Sequence, residues 1–225
     1  MALHAAEEES IEALKKWWRE NGKQLVAAVI VAFAGYTGWL LWQNSTADQA
    51  AAASDMYEEI LTLAVPNPAT PEIVPSEEDR ARVVELAQIL RADHSDSIYA
   101  RFGSLFSAQQ AVEMNDLAQA EADLQWILDN QDLGAFSEID EGLQLTASLR
   151  LGRVILAQGD AERALDFVNS IDPKSFEAGF SELRGDIYLA MDRLLDARDA
   201  YIAAEEAGSN SDALRMKLEN LSDAS

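Results

Sequence analysis

The sequence has 225 residues, of which 48% are hydrophobic and 25% charged, a composition typical of a folded protein with room for one domain and a tail. The 40 acidic residues against 17 basic ones give a formal net charge of -23 at pH 7. Because so negative a chain repels a phosphate backbone, nucleic acid is excluded as a partner. A solvated acidic surface explains the charge most simply, and an acidic recognition face is the alternative. The absence of cysteine excludes disulfides, thiolate metal sites and cysteine nucleophiles.

Residues 25–42 form an uncharged apolar segment, LVAAVIVAFAGYTGWLLW. At about 1.5 Å per helical residue, its length comes close to the roughly 30 Å of a bilayer's hydrocarbon core. A secretory signal peptide is the competing interpretation, since Ser45-Thr46-Ala47 weakly resembles a cleavage site. The segment is longer than a usual signal-peptide core and continues into a polar helical stretch, so it predicts an uncleaved transmembrane helix in the lipid bilayer.

The residues on either side of this segment predict its orientation. Basic residues precede it, whereas the next basic residue after it is Arg80. Since cytoplasmic flanks carry the excess of lysine and arginine, residues 1–24 are predicted to form a cytoplasmic tail and the C-terminal mass to face outward. Tryptophans at both ends are typical of the aromatic belts at membrane interfaces. The basic flank is Lys15, Lys16, Arg19 and Lys23, and the predicted interface residues are Trp17, Trp18, Trp39 and Trp42.

A juxtamembrane helix and a proline-rich linker are predicted for residues 43–75. Met56, Ile60 and Leu63 are spaced as one face of a helix. Prolines then follow at positions 66, 68, 71 and 75, and so dense a run cannot continue a helix. The linker is predicted to end at Ser76, which is suited to cap the next helix with Asp79 in its first turn.

Residues 76–225 show helical periodicity throughout, without the sustained alternation of strands. Aligning residues 150–168 with residues 182–201 puts Gly152 over Gly185 and Ala164 over Ala197, an offset of 33. The small residues of each unit are predicted to meet where two antiparallel helices cross, because only small side chains allow so close a backbone approach. The predicted packing residues are Ala108, Ala120, Gly152, Ala164, Gly185 and Ala197.

The earliest of these units places Ala108 and Ala120 on either side of a turn at Asn115-Asp116. The pattern resembles the tetratricopeptide repeat, a helix-turn-helix unit of about 34 residues. The match is degenerate, since the repeat's usual tryptophan is missing, and a generic helical bundle is the alternative. The predicted fold is therefore all-α, with a single N-terminal transmembrane helix followed by a degenerate tetratricopeptide-repeat-like helical solenoid at residues 76–225.

The residue types that catalysis and metal binding need are scarce. The two histidines, His4 in the tail and His94 at a predicted helix end, are far apart in the sequence. The acidic stretch from Asp129 to Asp140 has part of the spacing of a calcium loop, but Leu133 occupies a ligand position and cannot coordinate. Phosphate-binding and nucleophile motifs are also absent from the sequence. The sequence therefore predicts no enzyme, no metal site and no cofactor.

The order of these parts is similar to that of one family. A tail ending in KKWWRENGKQLV, the apolar span, a helix AAAASDMYEEIL and a C-terminal GSNSDALRMKLENL together resemble the YfgM family of bacterial ancillary SecYEG translocon subunits. The resemblance runs essentially from end to end. It implies a single-pass type II protein of the bacterial inner membrane with a periplasmic C-terminal domain. The implied partners are the SecYEG translocon, a membrane-anchored periplasmic peptidyl-prolyl isomerase, and translocating or unfolded polypeptides.

Two functions are compatible with these features. The first is an adaptor or chaperone-like module that helps hand translocated proteins to periplasmic chaperones. The alternative is a structural scaffold of the envelope, in cell division or outer-membrane assembly. Stacked helix pairs form grooves suited to peptide segments, and an acidic groove would favour basic or unfolded ones. No individual peptide-binding residue is predicted.

Overall fold

The computed structural model describes residues 2–65, 75–131 and 140–223, and within these ranges every regular element is helical. The predicted all-α class is therefore confirmed for the described residues. The chain divides into two compact units, Met1–Ala51 and Ala52–Ser225.

The first helix, α1, runs without interruption from Ala2 to Ala64. It contains the predicted transmembrane segment and the boundary between the two units. No proline precedes Pro66 in the sequence, so no residue of α1 lacks its backbone donor. The helix ends shortly before Pro66, because the residue before a proline is driven out of the helical conformation.

The helices of the second unit follow one another with short connections in the described ranges, and neighbours in sequence pack against one another. The helical periodicity predicted for residues 76–225 is confirmed in the described ranges. A short 3-10 helix, Lys174–Phe176, precedes α7. The bounds are α2 Glu77–Asp93, α3 Ile98–Glu113, α4 Leu117–Asp129, α5 Glu141–Ala157, α6 Ala161–Asn169, α7 Glu177–Ala190, α8 Leu194–Glu206 and α9 Asp212–Asp223.

A reciprocal cap starts α2, and it confirms the helix start predicted at Ser76. The Asp79 amide donates to Ser76 Oγ at 3.1 Å, and the Ser76 amide donates to the Asp79 carboxylate at 2.9 Å. Hydrogen bonds from the side chain and then the backbone of Ser76 lower the pKa of Asp79. The prolines predicted to form the linker at positions 66, 68 and 71 lie outside the described residues.

One turn geometry recurs at the ends of α3, α5, α7 and α8. In each turn an amide donates to a carbonyl five residues earlier, which is the long bond of the Schellman motif. This motif needs a left-handed residue just before the donor. The bonds run from Asp116 to Ala111 at 2.8 Å, from Asp160 to Ile155 at 3.4 Å, from Arg193 to Tyr188 at 2.8 Å and from Ser209 to Ala204 at 2.9 Å. The left-handed residues, with φ of 60°, 88°, 58° and 101°, are Asn115, Gly159, Asp192 and Gly208.

These turns give the repeat a backbone basis. The donors that end α5 and α7, Asp160 and Arg193, are separated by the same offset of 33 that aligns Gly152 with Gly185. The turn predicted at Asn115-Asp116 is confirmed by the same bond pattern. Each turn reverses the chain over a few residues, so the helices on either side form a hairpin.

The end of α1 belongs to the second compact unit. Ile60 is fully buried in an apolar cluster with Val83 of α2, and the ring centroids of Tyr57 and Tyr99 are 5.3 Å apart. The compact unit Ala52–Ser225 therefore includes the end of α1, and the domain start at residue 76 stays a prediction. The end of α1 packs there because covering its apolar face removes that face from water, which stabilises the folded state.

Two further apolar clusters hold the later helices. The larger one involves α3 to α7, and Leu124, Leu151 and Phe180 within it are at most 1% exposed. The other joins α8 to α9 through Tyr201 and Leu214. Burying one such side chain stabilises the fold by about 1.5–3 kcal/mol, so these clusters fix the order in which the helices stack.

Candidate interaction surfaces

The apolar segment of α1 exposes large hydrophobic side chains. Val31, Phe33 and Leu41 are 71%, 69% and 70% exposed. Among the described residues, α1 is the one helix that is long and apolar enough to cross a membrane, judged by length and composition. A hydrocarbon environment suits this surface, because each large apolar side chain left in water costs about 1.5–3 kcal/mol.

The predicted interface residues lie at both ends of this segment. Trp17, Trp18 and Trp39 are each about half exposed, and the side chain of Trp42 lies outside the described part of the chain. The rise from Trp17 to Trp39 is roughly 33 Å along the helix axis, which is comparable to the thickness of a hydrocarbon core. The basic flank residues, which are all exposed, are Lys15, Lys16, Arg19 and Lys23. Their roles at the membrane stay predictions.

The small residues of the repeats lie at close helix contacts. A Cβ on Gly185 would lie 2.3 Å from ring atoms of Tyr201, and a Cβ on Gly152 would lie 2.8 Å from Leu183 and 3.0 Å from Val168. The nearest neighbours of the glycines are thus large residues, with Tyr201 and Val168 one turn beyond the predicted alanines. The alanines themselves are buried, at no more than 2% exposure, and are Ala108, Ala120, Ala164 and Ala197.

A polar cluster fixes α9 on α7. The Tyr201 hydroxyl donates to Asp186 Oδ1 at 2.7 Å, and the Lys217 ammonium donates to Asp186 Oδ2 and to Glu182 Oε1, both at 2.9 Å. Burial, followed by the bond to Asp186, raises the pKa of Tyr201. Burial disfavours the charge on Lys217, but the two carboxylates outweigh this effect and raise its pKa above the ordinary 10.5.

A buried carboxylate on α4 joins three helices. Asp123 is 0% exposed and accepts a hydrogen bond from Arg91 Nη1 of α2 at 2.5 Å. It also accepts from Gln119 Nε2 at 2.7 Å and from Ser107 Oγ of α3. The Arg91 guanidinium also lies over the Trp126 ring, 5.9 Å from its centroid. Periodicity did not single out Asp123, since two of its partners, Arg91 and Ser107, come from other helices.

A groove with a volume of about 480 Å³ is formed by α3, α4 and α5. That volume is within the range of pockets that hold small ligands or a few side chains. No sequence pattern predicted it, because its walls come from three separate helices. Its apolar lining is Ala108, Val112, Leu117, Leu124, Val154 and Ala157.

The acidic and histidine side chains show no metal-binding arrangement in the described ranges, where no three of them come together to hold an ion. His94 caps the C-terminal end of α2, as predicted. The side chain of His4 and most of the acidic stretch between Asp129 and Asp140 lie outside the described residues.

An exposed apolar helix followed by helical hairpins with a 33-residue repeat defines the class of the protein: a helical-repeat protein with a candidate N-terminal membrane span. A family model described as a tetratricopeptide repeat-like domain matches residues 15–223 and confirms the predicted repeat. Similarity to known proteins identifies the particular family. The chain is similar along nearly all of its length to proteins named ancillary SecYEG translocon subunit.

The similarity covers nearly the full length of this chain and the full length of each relative. The protein of Haemophilus influenzae is 32% identical over 98% of this chain and 100% of its own, and that of Escherichia coli is 30% identical over 99% and 100%. The protein of Neisseria gonorrhoeae is 30% identical over 98% and 100%. The chain belongs to the family of ancillary SecYEG translocon subunits, which confirms the resemblance seen in the sequence. No solved structure matches the chain.

Proposed function

We propose that the protein is a non-enzymatic ancillary subunit of the Sec translocon and binds SecYEG in the inner membrane. The observation that carries this proposal is the end-to-end match to relatives named for that role, with the apolar helix and the repeats both included. The names of these relatives do not favour the envelope scaffold, which was the alternative.

The proposed topology is single-pass type II. Residues 1–24 are cytoplasmic, residues 25–42 span the membrane, and the helical repeats are periplasmic. The basic flank supports this orientation, because Lys15, Lys16, Arg19 and Lys23 all precede the span and cytoplasmic flanks attract such residues.

The proposed action is adaptation by binding, without a chemical step. The repeats contact polypeptides that leave the translocon, together with a membrane-anchored peptidyl-prolyl isomerase, and help pass the polypeptides to periplasmic chaperones. Helical repeats suit this task, since stacked hairpins present extended grooves to peptide segments. The groove lined by Val112, Leu124 and Val154 is a described surface with room for an apolar side chain of such a segment.

Site-specific photo-crosslinking in intact cells tests the proposal. A photoreactive side chain is placed at Val31 in the span, at Val112 in the groove, or at Met216, an exposed control on α9. We expect adducts with translocon subunits from Val31 and adducts with a stalled secretory chain from Val112, with far fewer from Met216. A full set of positions that traps neither a translocon subunit nor a translocating chain would refute the function.

A further inference from the structure

The second unit neutralises most of its positive charges internally. Arg80 pairs with Glu113 at 3.2 Å, and Arg82 pairs with Glu59 at 2.8 Å. Such pairing is expected in a chain with a net charge of -23, because carboxylates far outnumber the lysines and arginines. The other lysines and arginines in ion pairs are Arg91, Arg163, Lys174, Arg184, Arg193, Arg215 and Lys217.

Two arginines of α5 depart from this pattern. Arg150 and Arg153 form no ion pair with any described residue, and both are exposed. They stand three positions apart and so lie on one side of the helix. Arg150 donates only a long bond of 3.4 Å to the Leu105 carbonyl. Although its surface is exposed, neighbouring protein atoms partly desolvate the Arg150 guanidinium, and this effect, followed by the charge of Arg153, lowers the pKa of Arg150. An anion placed between the two arginines would relieve their repulsion.

This pair borders the groove of α3, α4 and α5. Glu113 on the opposite side is compensated by Arg80, which leaves the groove locally positive in a strongly acidic protein. The floor between these charges is apolar, with Val112 still 44% exposed. The groove thus places an apolar contact beside two guanidinium groups that no described carboxylate neutralises.

We infer that this groove binds a polypeptide segment in which acidic residues flank a large apolar residue. The apolar side chain fills the floor, and the neighbouring carboxylates bind Arg150 and Arg153, whose planar guanidinium groups match carboxylate geometry. The inference deepens the proposed function and rests on it, since it names the chemistry of the segments that the adaptor would hold.

The charge of the whole chain makes this preference specific. The overall acidity led to the expectation that a groove would favour basic segments, but the local charge at Arg150 and Arg153 has the opposite sign. The acidic surface of the described second unit repels acidic segments, whereas Arg150 and Arg153 attract them to this groove. Basic segments, in contrast, would be repelled by this groove.

Peptide binding to the full-length chain in nanodiscs of zwitterionic lipid tests the inference. The probe is a short fluorescent peptide with leucine flanked by glutamates, and matched peptides carry glutamine or lysine in place of glutamate. We expect the glutamate peptide to bind best, and the double variant Arg150→Gln/Arg153→Gln to bind it about tenfold more weakly, because two charge-assisted hydrogen bonds are lost. Arg198→Gln, an exposed arginine of α8 without a described ion pair, is the control and should bind as the parent does. An unchanged unfolding temperature establishes that the double variant is folded.

Equal affinity of the three peptides, preference for the lysine peptide, or undiminished binding by the double variant would each overturn the inference. So would capture of anionic lipid vesicles or of a second copy of the chain in place of the peptide. Crosslinking from Val31 to translocon subunits separates the two proposals. Adducts without peptide binding would remove the inference alone, whereas peptide binding without adducts would remove the proposed function and leave the groove's chemistry standing.

Discussion

At the scale of single residues, the buried carboxylate of Asp123 has a large free-energy cost that its neighbours must offset. Asp123 is inaccessible to water, and it is tolerated because Arg91, Gln119 and Ser107 all donate to it. A carboxylate buried without such donors costs several kcal/mol, about the size of a domain's whole stability. The network therefore specifies how α2, α3 and α4 meet.

Replacing Asp123 with asparagine should destabilise the protein by about 3–5 kcal/mol, because Arg91 is left without its countercharge in a mostly buried position. Urea unfolding of the full-length chain, followed by circular dichroism, measures the change. Asp129→Asn, an exposed carboxylate at the end of the same helix, is the matched control and should change the stability by less than about 0.5 kcal/mol. Equal effects of the two substitutions would show that the network contributes nothing specific.

The contact at Gly185 can be tested with a single methyl group. Gly185→Ala should destabilise the protein by about 1–3 kcal/mol, because the added Cβ would lie 2.3 Å from the Tyr201 ring and force α7 and α8 apart. Gly142→Ala is the control, since its Cβ would meet only the Asp140 carboxylate, at 3.4 Å. The control should be neutral or slightly stabilising, as expected for glycine to alanine in a helix. The measurement is the thermal unfolding temperature of each variant. A temperature that falls for Gly142→Ala and not for Gly185→Ala would contradict the packing argument.

At the scale of elements, α9 is held on α7 by one cation and two carboxylates. Lys217→Met should cost about 1–3 kcal/mol, because Asp186 and Glu182 lose their shared donor while partly buried. Lys174→Met removes an exposed ion pair with Glu141 and should cost less than about 1 kcal/mol. Hydrogen exchange of the α9 amides, compared between the two variants, checks whether the loss is local to this helix.

The same cluster predicts a loss of stability in alkali. The pKa values of Lys217 and Tyr201 are raised above their ordinary 10.5 and 10.0, so the folded state keeps protons that the unfolded state releases. Their contribution is fully present below about pH 10 and is lost as the pH rises through the raised values. Unfolding free energies measured from pH 8 to 11 should therefore fall above pH 10, and should fall less steeply in Lys217→Met. Identical pH profiles would contradict this assignment.

At the scale of the whole molecule, the features that local chemistry encodes were predictable. Helix spacing, the Ser76 cap and the offset of 33 each depend on residues close in sequence, and the structure contains all three. The packing of Ile60 on Val83 is harder to predict, because prolines from Pro66 onward separate these two residues in the sequence. The amphipathic face around Ile60 was the available signal, since an apolar stripe requires a partner.

The groove and the buried network could not be predicted in the same way. Whether a described carboxylate pairs with Arg150 or Arg153 depends on where the carboxylates lie, and that follows only from the packed helices. Of the described donors to Asp123, only Gln119 lies on the same helix, and the ion pair with Arg91 and the bond from Ser107 depend on two other helices. The groove and the buried network, which distinguish this protein from a generic helical repeat, therefore depend on the tertiary packing of the helices.

The measurement that tests the central claim most directly is an affinity purification of the full-length protein from mild-detergent membranes, with mass spectrometry of the retained proteins. The comparison is a variant in which residues 25–42 are replaced by an unrelated apolar span of equal length. We predict that SecYEG subunits and a periplasmic peptidyl-prolyl isomerase copurify with the parent, and that SecYEG is lost from the variant. Copurification of division or outer-membrane assembly proteins, without translocon subunits, would contradict the account.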